Sequence, residues 1–89
     1  MTANSKGERK MRTHILKILP EYYDPLFFGE KRFEIRKDDR DFHVGDKCVF
    51  KEWQNGSYSD APEIALRIKY ILRDCQEYGL MDGYCILGF

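Results

Sequence analysis

The sequence predicts a mostly β (α+β) domain, a small barrel of about five strands with one short helix after the first strand. The 89-residue chain has room for a single domain with a small core. Its thirteen aromatic side chains can fill such a core, because each buries a large apolar area. Segments with the alternating pattern of strands are separated by Gly, Pro, Asn and Asp turn signals.

The chain begins with a polar, basic stretch over residues 1–12, where we expect a disordered leader. This leader is either an arm that contacts phosphate or a segment without a role. Residues 13–19 predict the first strand, and apolar residues on both of its faces indicate a central position in a sheet. Lys17 then either reaches the rim of the sheet or projects into a cleft.

Residues 20–28 predict a helical connection that ends at Gly29. Asp24 and Pro25 suit an N-cap and the first position of a helix. We therefore expect a turn at 20–23 and a short helix at 25–28, or one kinked helix. Its buried side is expected to comprise Tyr22 or Tyr23, Leu26 and Phe27.

The second strand, residues 32–37, has two chemically different faces. Because side chains alternate along a strand, Phe33 and Ile35 are predicted to enter the core. Arg32, Glu34 and Arg36 then share the other face. That face is either a solvated sheet surface or a cationic cleft in which Glu34 orients the basic side chains.

The second half of the chain predicts three more strands. A tight turn with apolar plugs at 42–46 leads into a strand at 47–54, which ends at the strong turn signal Asn55-Gly56. Residues 57–61 predict a loop. One long strand that bends is expected at 62–73, followed by a loop or helical turn at 74–83 and a strand at 83–89.

Composition limits the functional classes. The net charge is zero, but residues 1–40 carry ten Lys and Arg against seven Asp and Glu, so a local basic patch is compatible with overall neutrality. Three cysteines without CxxC spacing indicate reduced thiols and a cytoplasmic location. We expect no membrane span, no metal site and no cofactor.

Several runs of residues resemble a known family. They are residues 16–22, the pattern Gly29-x-Lys31-x-x-Glu34-x-Arg36, residues 39–46, Glu52-Trp53 and residues 78–84. Together they resemble an ASCH domain of the PUA-like superfamily, within a small stand-alone branch of bacteria and phages whose members are mostly of unknown function. The resemblance covers residues 13–89. It implies a five- or six-stranded β-barrel with a charged cleft beside the helix.

PUA-like domains commonly bind RNA, so the resemblance implies an RNA or nucleotide site in this cleft. Lys31 and Arg36 would contact phosphate. Glu34 would hold Arg36 in place or accept a hydrogen bond from a base or a 2′-hydroxyl. Lys17 and Arg40 would extend the patch. Trp53 and Tyr58 either stack a base or serve as a core aromatic and an ordinary loop residue, respectively.

Two alternatives remain open. Some small ASCH proteins are hydrolases of acylated nucleosides and others are ribonucleases; in such an enzyme Lys31 and Glu34 are the candidate catalytic residues. The amidohydrolase pattern has a threonine where this chain has Glu34, and a neighbouring carboxylate keeps a lysine charged. The other alternative is a protein-interaction module with an unknown partner. We predict a binding module without catalytic residues.

Overall fold

The computed structural model of this protein describes residues 9–89 and is mostly β, as the sequence predicts. Most of the predicted leader, residues 1–8, lies outside the described residues. In chain order the elements are β1 (Thr13–Ile18), α1 (Pro20–Phe27), β2 (Phe33–Lys37), β3 (Lys47–Gln54), β4 (Ser57–Tyr58), β5 (Ile64–Arg67), β6 (Tyr70–Leu72), a 3₁₀ turn (Gln76–Tyr78) and β7 (Tyr84–Gly88). Within residues 9–89, no helix is long and apolar enough to cross a membrane.

The first sheet consists of β1, β3, β4 and β5, with β3 at its centre. β1 pairs with β3 in parallel, and β5 pairs with β3 antiparallel on the opposite edge. β4 forms a hairpin with β3 across Asn55-Gly56, where φ is +54° and +82°. Positive φ at both positions matches the twist of a two-residue hairpin, so the predicted turn and the predicted bounds of β3 are confirmed.

The second sheet contains β2, β7 and β6 in that order, all antiparallel. The single long strand predicted at 62–73 is instead two strands, of which β5 belongs to the first sheet and β6 to the second. The change of sheet occurs at two successive residues: the Ile68 N–H donates to the Asp46 carbonyl, and the Lys69 N–H donates to the Gly88 carbonyl. The bend is therefore a crossing between sheets.

The two sheets enclose the core with their inner faces. The buried apolar side chains come from both sheets, from α1 and from the 42–46 turn: Leu16, Ile18, Tyr23, Leu26, Phe42, Cys48, Phe50, Ile64, Ile68, Cys85 and Leu87. Among the described residues, β1 and β2 do not pair with each other, so the strands do not close into the predicted barrel.

β1 is an edge strand, which corrects the prediction of a central one. It pairs only with β3 within the described chain. His14, Leu16 and Ile18 are buried on its inner face, whereas Ile15 and Lys17 are exposed on its outer face. The central position was predicted from apolar residues on both faces of β1, but the sequence does not show that Ile15 on the outer face is exposed.

Of the two expected arrangements, the structure has one helix that contains Pro25, not a turn at 20–23 followed by a helix at 25–28. Pro20 occupies its first position, where a missing N–H costs nothing, and Pro25 lies inside it. Tyr23 and Leu26 form its buried side, and the Tyr23 hydroxyl donates to the Pro62 carbonyl at 2.7 Å. Tyr22 and Phe27 are exposed, contrary to expectation for Phe27. Gly29 follows the helix with φ +77°, as a helix-ending glycine should.

A buried carboxylate, Asp46, ties the start of the described chain to the 42–46 turn. It accepts hydrogen bonds from Arg9, from His14 and from the main-chain amides of Arg12 and His43. Arg9 and Arg12 therefore contact the folded domain through Asp46. Of the two apolar side chains of the turn that were expected to fill the core, Phe42 is buried and Val44 is exposed.

Candidate functional site

The two faces of β2 are the reverse of the predicted ones. Glu34 is only 5% exposed, whereas Phe33 and Ile35 are 46% and 55% exposed. The pairing explains this orientation, because Glu34 lies opposite Leu87, which belongs to the core, and therefore shares its inward direction. The predicted alternation of side chains along β2 is confirmed, but Phe33 and Ile35 point outward and Glu34 points into the core.

A cleft between α1 and β2 is built around this glutamate. Its volume is about 310 Å³, and its lining residues are Tyr22, Lys31, Phe33, Glu34 and Ile35. Lys31 forms an ion pair with Glu34, three residues further along the chain, and both side chains are largely buried in the lining of the cleft. The Lys31 ammonium lies 5.2 Å from the ring centres of both Tyr22 and Phe33. We call this site the Lys31 cleft.

The electrostatics of the Lys31 cleft follow from its partial burial. Burial lowers the pKa of Lys31, because a less polar environment disfavours the ammonium form. The Glu34 carboxylate acts in the opposite direction and favours the charged amine. A buried carboxylate without a partner would be costly, so each group makes the burial of the other tolerable. The cleft thus presents a hydrogen-bond donor, an acceptor and two aromatic walls.

Arg36 and Arg40 lie outside this cleft and bind the main chain of β1. Arg36 Nη1 donates to the Lys17 carbonyl at 2.8 Å, and Arg40 Nη1 donates to the Ile15 carbonyl at 3.1 Å. The two arginines thereby bridge the gap between β1 and β2. Burial and the nearby Arg40 lower the pKa of Arg36. Glu34 does not hold Arg36, because its ion-pair partner is Lys31.

Three other predicted site residues meet on the outer face of the first sheet. Lys17 Nζ lies 3.8 Å from the centre of the Trp53 ring, and that ring contacts Tyr58 edge-to-face with centres 4.9 Å apart. Lys51 adds a second ammonium 5.1 Å from the Tyr58 ring. These four residues, the outer aromatic cluster, are separate from the cleft lining. Trp53 is half-buried here, not a core residue, and Tyr58 lies in the short strand β4.

The structure also bears on metal and thiol chemistry. In residues 9–89, no three His, Cys, Asp or Glu side chains come close enough together to hold a metal ion. All three cysteines are free, and Cys48 and Cys85 are buried. Burial raises the pKa of Cys48 to about 12 and that of Cys85 to about 11, so both are unreactive core residues.

Sequence reasoning missed three of the residues that line the cleft, the two aromatic walls and Ile35, which was assigned to the core. Tyr22 was considered only as a candidate for the buried side of the helix, and Phe33 was assigned to the core. Helical spacing contained a usable signal for the tyrosine: Tyr23 and Leu26, three residues apart, share the buried side, which leaves Tyr22 directed elsewhere. For Phe33 no local signal existed, because its direction depends on which face of β2 meets the first sheet.

Comparison with known proteins identifies a family but no activity. A family described as "Domain of unknown function (DUF3850)" matches residues 13–89. An "Uncharacterized 12.9 kDa protein in GpA 3'region" of Escherichia phage P2 is 35% identical over 48 residues, which is 54% of this chain. The aligned region is 44% of that relative, so the chain spans less than half of the phage protein's length.

Proposed function

This chain belongs to the DUF3850 family of domains of unknown function, and from its site we propose that it binds RNA by holding one unstacked base or nucleotide in the Lys31 cleft. The observation that carries the proposal is the largely buried Lys31–Glu34 ion pair in the lining of a cleft with aromatic walls. Glu34 is buried, although core positions elsewhere on the inner faces are mostly apolar. A buried carboxylate is expensive, and Glu34, unlike the structural Asp46, also lines an open cleft, which favours a role in recognition.

The chemistry of the cleft suits a nucleobase. A base has a flat face that stacks on aromatic rings, and the walls of the cleft include Tyr22 and Phe33. The edge of a base carries N–H donors and carbonyl acceptors. Glu34 can accept from the donors and Lys31 can donate to the acceptors. An unstacked base in a loop or single strand presents both features at once.

The size of the cleft supports a single base as the ligand. Its volume of about 310 Å³ is at the lower end of the range of about 300–1,000 Å³ for small-molecule pockets. The rest of an RNA strand would lie outside the cleft. The outer aromatic cluster, with Lys17 and Lys51, offers stacking rings and ammonium groups for such contacts. We include this cluster as a secondary contact surface.

The resemblance to ASCH domains supports the same proposal. It implies a PUA-like fold with its cleft beside the helix, and the Lys31 cleft lies between α1 and β2. We propose that the two sheets are an open variant of that barrel, with Arg36 and Arg40 in place of one line of strand pairing. Three free cysteines support the cytoplasmic location proposed for an RNA-binding protein.

Hydrolysis of a modified nucleoside, or of RNA, is the second candidate function. The observation in its favour is that burial lowers the pKa of Lys31, which favours the neutral amine that a nucleophile or base requires. The Glu34 carboxylate favours the ammonium form instead. We therefore place binding ahead of catalysis, and the same variants test both.

The test is a fluorescence-anisotropy titration of the full chain with short single-stranded and hairpin RNAs at two salt concentrations. Glu34→Gln keeps the shape of the side chain and removes its charge. Loss of a charged recognition contact is expected to weaken RNA binding about tenfold or more. Lys31→Met should weaken it by a similar factor. Higher salt should reduce affinity in proportion to the phosphates contacted.

Lys47→Ala is the matched control. Lys47 is an exposed lysine on β3 and is not among the lining residues of the cleft, so its removal changes the net charge and leaves the cleft lining intact. An equal effect of Lys31→Met and Lys47→Ala would show that binding is non-specific. Equal affinity of wild type and both cleft variants would refute the proposed site. Turnover of a modified nucleoside that Lys31→Met abolishes would favour the second candidate.

A further inference from the structure

The outer face of the second sheet is apolar and uncovered by the described chain. Two cross-strand rows make up this face: Phe33, Gly88 and Tyr70 in one, Ile35, Ile86 and Leu72 in the other. Leu80, Met81 and Tyr84 extend it, since they border a shallow cavity of about 330 Å³ beside Ile35. Tyr70 and Met81 are 65% and 68% exposed. We call these residues the apolar face.

We propose that a second copy of this chain covers the apolar face and that the protein is a two-fold symmetric dimer. The first argument is area. With about 150–250 Å² for each whole aromatic side chain, and similar areas for the aliphatic ones, the exposed fractions of Phe33, Ile35, Tyr70, Leu72 and Met81 add up to roughly 400–700 Å². Leu80, Tyr84 and Ile86 are partly exposed and enlarge the patch, so it reaches the upper end of the range of about 300–600 Å² for single patches on monomers. A standard interface buries about 800 Å² on each partner, which the patch and a polar rim supply.

Charge supports a second copy over a nucleic acid. Neither cross-strand row contains Lys or Arg, and the adjoining loop, residues 74–82, contains Asp74, Glu77 and Asp82 but no basic residue. This acidic loop would repel RNA phosphates. Two copies of a chain with zero net charge have no overall repulsion. Basic side chains, Lys37 and Lys69 among them, lie at the ends of the strands. In a two-fold dimer, these side chains of one copy can meet the acidic loop of the other copy.

The dimer would also affect the Lys31 cleft. Phe33 and Ile35 belong to the apolar face and line the cleft as well. A partner copy would therefore border the mouth of the cleft and narrow the approach of an RNA strand. Dimerisation itself does not depend on RNA binding, so each proposal can fail without the other.

The test is sedimentation velocity of the full chain from low to high micromolar concentration. The wild type should approach twice its chain mass of 10.6 kDa. Ile35→Lys places one charge per copy in the interface and should raise the dissociation constant by about tenfold or more. Ile15→Lys is the matched control, because Ile15 is an isoleucine of similar exposure on the outer face of the other sheet.

The outcomes separate cleanly. A dimeric wild type and Ile15→Lys with a monomeric, folded Ile35→Lys supports the proposal, with circular dichroism as the check on folding. Met81→Lys lies in a loop and serves as the second variant if Ile35→Lys unfolds. A wild type that stays monomeric at the highest concentration overturns the dimer. So does an Ile35→Lys variant as dimeric as the control, or RNA protection of this face in a monomeric chain.

Discussion

Arg36 on β2 donates a hydrogen bond to the main-chain carbonyl of Lys17 on β1 at a distance of 2.8 Å. Together with the bond from Arg40 to the Ile15 carbonyl, it satisfies acceptors on the edge of β1 that faces no other strand within residues 9–89. An open strand edge is a site for pairing with other chains, so covering it has a structural value. The basic residues predicted for one site therefore have two roles: Arg36 and Arg40 cover the edge of β1, whereas Lys31 lines the cleft.

Removal of Arg36 should destabilise the protein more than it impairs binding. Arg36→Ala leaves the Lys17 carbonyl to water and should lower the free energy of unfolding by about 1 kcal/mol. Urea denaturation followed by circular dichroism measures this change. Lys37→Ala, at the next and exposed position of β2, is the control and should have almost no effect. A loss of RNA affinity as large as that of Lys31→Met would assign Arg36 to the site instead.

Replacement of Phe33 should cost far less stability than replacement of a core phenylalanine. Phe50 is fully buried, so Phe50→Ala should lower the free energy of unfolding by about 3–5 kcal/mol. Phe33 is half exposed, and Phe33→Ala should cost about 1 kcal/mol. Chemical denaturation of both variants compares them directly. Equal losses would mean that Phe33 points into the core and Glu34 out.

Asp46 should control stability in acid. Burial alone would raise the pKa of Asp46, but hydrogen bonds from Arg9, from His14 and from main-chain amides outweigh it and hold the pKa well below its usual range. The unfolded chain therefore takes up a proton at this site before the folded chain does. The contribution of Asp46 is complete above its unfolded pKa of about 4 and is lost as the pH falls below that value.

Asp46→Asn tests this role. The variant should lose about 3 kcal/mol or more at neutral pH, because an amide cannot accept all the bonds that the carboxylate does. Its stability should also fall less steeply than that of the wild type between pH 5 and 2 (about the range set by the unfolded pKa). Asp60→Asn is the control, since Asp60 is exposed and its side chain makes no hydrogen bond or ion pair within residues 9–89. Parallel acid profiles for wild type and Asp46→Asn would contradict the assignment.

The thiols should differ sharply in reactivity. Burial raises the pKa of Cys48 and of Cys85, so neither forms the reactive thiolate near neutral pH. Cys75 is partly exposed and should react first. Titration with a thiol-reactive chromophore should show one fast group per native chain and three after unfolding. Cys75→Ser should remove the fast phase, and a fast phase that persists in that variant would show that the core is open.

Features governed by adjacent residues followed from the sequence by itself. β3 has the predicted bounds because a strand pattern ends at Asn55-Gly56, and these residues favour positive φ without help from the rest of the chain. Gly29 ends the helix for the same reason. The mostly β character came from alternation repeated along the chain. These are local conformational preferences, which a segment carries wherever it is placed.

Long-range contacts decided the rest. Alternation along β2 separates two faces, but only its pairing with β7 directs Glu34 inward and Ile35 outward. The strand at 62–73 changes sheets because Ile68 and Lys69 find partners in Asp46 and Gly88, far away in the chain. The candidate site depends on the same contacts. Lys31 and Glu34 are neighbours in sequence, whereas α1 supplies Tyr22 as a wall only after the core has packed α1 beside β2.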